Sequence, residues 1–148
     1  MTKRILIPVA PSESADAGIE FIADLARSND ATVQLLTVYP VPRLDAGRAG
    51  IPYADRDLER LGRAGLRRLD SVAARLDGVR VEGVVRFGEP VEEILIEADA
   101  FGADLIALST DAGGWRPKFL GRGIADRVVR RAAVPVLLLR SPSFAAAA

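Results

Sequence analysis

The sequence predicts an α/β domain built on a five-stranded, mainly parallel open sheet, doubly wound with helices on both faces. Three observations carry this reading. Short apolar runs alternate with longer stretches of helical periodicity four times, and a fifth apolar run closes the chain. The runs are apolar at nearly every position rather than at alternate ones, as strands covered on both faces require. The 148 residues suffice for one ordinary domain and not for two. Strand–helix alternation of this kind calls for right-handed crossovers between parallel neighbours.

The first strand is expected over residues 4–9, RILIPV. A helix follows over 12–28, with Ser12 or Ser14 as its cap and Glu13 and Asp16 in the first turn, where the dipole favours anions. Ile19, Ile22, Ala23 and Ala26 form its apolar stripe. The second strand, 32–38, is rich in β-branched residues and ends before Pro40. Three prolines and two glycines mark 40–52 as a loop. The clearest helix spans 55–76, where Leu58, Leu61, Gly65, Leu69, Val72 and Leu76 recur at three- and four-residue steps with arginines and acids opposite.

Residues 79–86 alternate enough for a strand with one wetter face. Gly88-Glu89-Pro90 then opens a helix, with proline in its first turn and Glu92 and Glu93 behind it, and Gly102 ends it as a left-handed cap. A fourth buried strand is expected over 104–109 and a glycine-containing loop over 113–122. The helix over 123–133 turns Ile124, Ala125, Val128, Val129 and Ala132 inward, and the last strand runs over 134–139. The domain is expected to occupy residues 1–141, with 142–148 as a loose tail.

Composition narrows the function. Twenty basic and twenty acidic residues give no net charge, whereas binding to a duplex calls for a basic excess, so no nucleic-acid partner is expected. The absence of His and Cys removes imidazole acid–base chemistry, thiol nucleophiles, disulfides and thiolate metal sites. Pro8 and Pro11-Ser12-Glu13-Ser14 interrupt the first apolar run far short of a signal peptide or membrane span, so the expected location is the cytoplasm, with no membrane contact. No paired carboxylates accompany Asp111 in its loop; it reads as a turn residue, and neither a catalytic constellation nor a metal site is expected.

A ligand in an open α/β sheet lies beyond the carboxyl ends of the strands, where strand order reverses. Two segments stand out there: residues 10–14 after the first strand, and 109–122 after the fourth, which feeds the helix starting near Gly123. A helix N-terminus preceded by small residues offers free N–H groups to an anion.

Four blocks now carry a resemblance. Lys3-Arg4-Ile5-Leu6-Ile7-Pro8-Val9, Phe87-Gly88-Glu89-Pro90-Val91-Glu92-Glu93-Ile94-Leu95, Gly102-Ala103-Asp104-Leu105-Ile106, and Ile124-Ala125-Asp126-Arg127-Val128 followed by Val134-Pro135-Val136-Leu137 are similar in order and spacing to the universal stress proteins. The resemblance extends to about Arg140. It implies a Rossmann-like sheet of the adenine-nucleotide α-hydrolase type with strand order 3-2-1-4-5, which puts the switch point between the two segments. It also implies a homodimer paired through the last strand, whose apolar run would lie at a sheet edge: Val134, Val136, Leu137, Leu138 and Leu139.

The family's ATP-binding members resemble one another in a G-x-x-G-(nine residues)-G-[ST] loop. In the register fixed by the flanking blocks, those positions hold Ser109, Ala112, Arg122 and Gly123. A side chain at Arg122 crowds the close backbone approach that glycine allows. A register shifted by one residue gives Thr110, Gly113, Gly123 and Ile124, which keeps two glycines. The aspartate that the family usually places after the first strand is Ala10, and Pro11 follows. Candidate nucleotide contacts are therefore Ala10, Ser12, Val38, Ser109, Thr110, Gly113, Arg122 and Gly123. Arg116 and Lys118 with Arg122 put three cations suited to phosphate in the loop, although such a loop is more often solvated or held at a subunit contact, and Trp115, which could cover a base or a partner, is expected to pack on its own domain. The departures point to a homodimeric regulatory or interaction module with weak or no ATP binding, served by a protein partner. The alternative is an ATP or AMP sensor using a rearranged phosphate loop; no other cofactor is expected.

Overall fold

A computed structural model describes residues 2–11, 18–40, 55–109 and 123–139. In chain order the elements are β1 (Arg4–Pro8), α1 (Ile19–Asn29), β2 (Thr32–Pro40), α2 (Asp55–Ala73), β3 (Arg80–Gly88), α3 (Pro90–Phe101), β4 (Leu105–Ser109), α4 (Ile124–Arg131) and β5 (Val136–Leu139). The five strands form one sheet in the order β3-β2-β1-β4-β5, and every pairing is parallel. This is the fold and order that the sequence and its resemblance imply.

The uniformly apolar strands are explained by two cores. On one face Ile5, Ile7, Val33 and Leu35 pack with Ile22 of α1 and Leu69, Val72 and Leu76 from the α2 region. On the other face Leu6, Leu36, Ile106 and Leu108 pack with Ile94 of α3 and Val128 of α4. Strand residues alternate between these cores, so β1 and β2 have no wet face.

Several element boundaries differ from expectation. α1 begins at Ile19 with Gly18, at φ 78° and ψ 7°, as its N-cap, rather than at residue 12 as expected; residues 12–17 lie outside the described ones. The left-handed backbone at Gly18 favours glycine, and a Cβ there would lie 3.0–3.1 Å from three atoms of Leu139. α2 ends at Ala73, after which turns carry Leu76 back to the core. β5 begins at Val136 rather than residue 134, because Pro135 has no N–H for the ladder and offers only its carbonyl, to Ile106 N at 3.0 Å. Val134 sits in the turn before the strand and packs on the second core. Val129, expected inward, is exposed, and α4 buries Ile124 and Val128 instead.

The caps on α3 are as read from sequence. Pro90 occupies its first turn, the Glu89 carboxylate accepts from Glu92 N at 2.8 Å, and Gly102 closes it at φ 69° and ψ 39°. Asp104 then ties β4 to the start of β1, accepting from the backbone N–H of Lys3 at 2.8 Å and of Arg4 at 3.2 Å. Arg4 donates to the Phe101 carbonyl at 2.8 Å and lies 5.4 Å from the centre of its ring. Among the described residues no helix is long and apolar enough to cross a membrane.

Candidate functional site

β1 is flanked by β2 on one side and β4 on the other, so the strand order reverses there and the carboxyl ends of β1 and β4 border the crevice. The chain leaving β1 is held rigidly. Val9 N donates to the Leu36 carbonyl at 2.7 Å, and the buried Thr37 hydroxyl donates to the Val9 carbonyl at 2.7 Å. Ala10 follows, 4% exposed, and Arg68 of α2 directs its Nε at the Ala10 carbonyl at 3.4 Å. A methyl group therefore fills the position at which an aspartate would present a carboxylate.

Across the crevice, Ser109 closes β4, and its buried Oγ has no hydrogen-bond partner among the described residues. A hydroxyl in that state forgoes the free energy of a hydrogen bond. Gly123 is the N-cap of α4, at φ −67° and ψ 165°, with no side-chain cap bond. Among the described residues a Cβ at Gly123 would meet nothing within 4 Å, and its φ suits any residue. The first turn of α4 thus begins without the side-chain acceptor that usually satisfies its N–H groups.

Charged groups brace the surroundings. Arg127 of α4 meets the Glu89 carboxylate at 3.0 Å, so the carboxylate that caps α3 also joins it to α4. Arg86 of β3 bridges Glu93 at 2.6 Å and Glu97 at 2.8 Å on α3. The hydrogen bond that Arg86 donates to Glu93, helped by the one it donates to Glu97, raises the Arg86 pKa against the opposing effect of burial. Gly88, at φ 153°, is required: a Cβ there would lie 2.7 Å from Glu93 Oε1. On the opposite face, the rings of Tyr39 and Phe87 stack at 5.8 Å at the ends of β2 and β3, and burial raises the Tyr39 phenol pKa.

The sequence-derived positions divide as follows. Ala10, Ser109 and Gly123 stand around the crevice, while Val38 is fully buried in the second core, near the end of β2. Ser12, Thr110, Gly113 and Arg122 lie outside the described residues, as do Ala112, Asp111, Trp115, Arg116 and Lys118. β5 is an edge strand; Leu137 and Leu139 pack on the first core, Val136 on the second, and Leu138 is 44% exposed. Sequence reasoning missed the Glu89–Arg127 and Arg86–Glu93–Glu97 contacts. Their only local signal is the four-residue spacing of Glu89, Glu93 and Glu97, which aligns three acids on one face of a helix.

The four resembling blocks thus acquire structural roles: one supplies the central strand, and three supply the cap, the tie and the ion pair that fix α3, β4 and α4 around it. The model of the universal stress protein family matches residues 1–140. This chain belongs to that family. A curated relative, Universal stress protein MJ0531 of Methanocaldococcus jannaschii, is 26% identical over 146 residues, which cover 95% of this chain and 83% of the relative. The universal stress protein from Archaeoglobus fulgidus solved in complex with dAMP is similar at a TM-score of 0.63 and 19% identity, covering 93% of this chain and 97% of that one. A universal stress protein solved in complex with cAMP gives a TM-score of 0.66 at 18% identity, with 94% and 97% covered. At these identities the structural likeness speaks for the fold alone.

Proposed function

We propose that this universal stress protein works in the cytoplasm as a homodimeric regulatory module of the stress response, binding ATP weakly or not at all and acting through a protein partner rather than by catalysis. One observation carries the reading: Ala10, buried and with its carbonyl facing Arg68, holds the place of the aspartate that serves the nucleotide in ATP-binding members. Ser109, Ala112 and Arg122 at the loop's glycine positions act in the same direction, because each adds a side chain where a polyphosphate needs bare backbone amides. The edge position of β5 and the exposed Leu138 support pairing of two copies there.

Titration calorimetry of the purified protein with ATP and with AMP, with and without magnesium, tests the first part. No heat at millimolar nucleotide is expected, and micromolar binding overturns it. Light scattering tests the second: a dimer mass is expected, and Leu138→Arg should return it to a monomer. A monomeric wild-type protein at working concentration defeats the dimer. Turnover of a nucleotide in the presence of metal would defeat the non-catalytic assignment.

A second reading, an adenine-nucleotide sensor, is favoured by two local features: the buried Ser109 hydroxyl, without a partner among the described residues, and the first turn of α4, whose N-cap glycine supplies no side-chain acceptor. Relatives of the same fold bind dAMP and cAMP, each with one phosphate group. In this reading a monophosphate is taken in preference to ATP, since it asks less of the crowded loop. The AMP arm of the calorimetry separates the two.

A further inference from the structure

We propose that a cavity at the opposite end of the sheet, between the C-terminal ends of α3 and α4, is a binding site for a small α-amino acid with an aliphatic side chain. The cavity is about 260 Å³ and is lined by Leu95, Ala98 and Asp99 of α3, Ile106 of β4, Arg131 of α4 and Val134 in the turn before β5, among others. It lies beside the amino ends of β4 and β5, whereas the nucleotide crevice lies at the carboxyl ends of β1 and β4, and it stands or falls independently of nucleotide binding.

Three features select the ligand. Pockets for drug-sized ligands run to roughly 300–1,000 Å³, so this cavity suits something smaller. Its floor is apolar: Ile106 is fully buried, Ala98 is 8% exposed, and Val134 and Leu95 pack around them. Two opposite charges stand on its wall. Asp99 and Arg131 both line it, and among the described residues neither side chain has a hydrogen-bond or ion-pair partner. They do not neutralise each other, so each can serve a separate group of one ligand.

The backbone adds a bias. Both helices end at this cavity with partial negative charge, which Arg130 and Arg131 already offset in the last turn of α4, whereas the last turn of α3 holds no basic residue and is left to favour a cation. An ammonium group therefore belongs on the Asp99 side, and the Arg131 guanidinium takes a carboxylate. A branched hydrocarbon of four or so carbons then rests on Ala98, Ile106 and Val134.

The test is a two-dimensional amide NMR titration of the full chain with L-leucine. Isoamylamine, which lacks the carboxylate, and 4-methylpentanoate, which lacks the ammonium, serve as probes. Saturable shifts confined to the cavity are expected for leucine, with a millimolar Kd, and each probe should bind about five-fold more weakly or worse. Arg131→Gln should weaken leucine by a similar factor and leave isoamylamine unchanged; Asp99→Asn should weaken leucine and leave 4-methylpentanoate unchanged. Both residues are exposed, so neither change threatens folding. Ala98→Leu, which fills the floor, should abolish binding. Absence of saturable shifts up to about 10 mM leucine overturns the proposal, as does binding indifferent to both charge substitutions.

Discussion

At Gly65 the backbone of α2 comes close to the sheet, and adding one methyl group there tests how tightly the two are joined. A Cβ on Gly65 would lie 2.8 Å from Val85 Cγ2, 3.0 Å from Tyr39 Cε2 and 3.2 Å from Thr37 Cγ2. All three neighbours belong to strands, and Thr37 is fully buried, so the helix must retreat or the sheet side chains must leave their rotamers. Overpacking of this kind costs about 1–3 kcal/mol. Alanine in place of glycine inside a helix returns about 0.8–1 kcal/mol. The expected net effect of Gly65→Ala is a loss of up to about 2 kcal/mol. Gly62, one turn earlier in the same helix, is its control: a Cβ there would meet only Phe87 Cζ, at 4.0 Å. Gly62→Ala should therefore keep the propensity gain and stabilise by about 0.5–1 kcal/mol. Urea unfolding followed by circular dichroism, at one fixed protein concentration because dimerisation would shift the midpoint, reads both. Should the two variants move in the same direction, the close seat of α2 on Val85 and Tyr39 is refuted.

Other expectations follow from the same geometry. Glu89→Ala should cost about 1 kcal/mol through the lost cap alone, and a double-mutant cycle with Arg127→Ala should return a coupling of about 0.5–1 kcal/mol for the partly exposed pair; zero coupling would mean that α3 and α4 are not joined there. Glu20 has its carboxyl pKa lowered below the ordinary 4.5, chiefly by its hydrogen bond to Arg75. Its contribution is complete above that ordinary value and lost as pH falls through the lower folded one, so Glu20→Gln should make the fall in Tm between about pH 5 and 3 shallower; an unchanged acid limb would count against the Arg75 contact. Gly123→Ser places a hydroxyl at an N-cap with open space around it, and should raise stability by a few tenths of a kcal/mol, as measured by the urea midpoint.

Much of the architecture was legible because it is written locally. Pro90 and Gly102 bracket α3 by backbone chemistry that no distant residue alters, and both boundaries stand as read. The apolar runs of β1, β2 and β4 announce strands covered on both faces, and both cores are there. What failed depended on distance in sequence. The start of α1 was misplaced because Ser12, Ser14, Glu13 and Asp16 form an ordinary capping signal, while the reason for Gly18 is Leu139, at the far end of the chain. Val129 fits the apolar period of α4, but the short helix lies against the sheet on Ile124 and Val128 and leaves that side chain outside. At the crevice, sequence spacing located Ala10, Ser109 and Gly123, whereas the hydrogen bond from Arg68 and the stranded hydroxyl of Ser109 are products of packing that no spacing discloses.

The order of the sheet also has a consequence for how the molecule comes into being. β1 is made first, yet its backbone amides at Lys3 and Arg4 wait for Asp104, about a hundred residues later, and its second neighbour is β4. A growing chain can join β1, β2 and β3 early, but one flank of the central strand stays bare until the last third has emerged from the ribosome. Contacts so far apart are slow to close, and the interval exposes an apolar strand edge to its neighbours in a crowded cell. Synthesis that halts before residue 104 should therefore leave an aggregation-prone half-sheet rather than a smaller working domain.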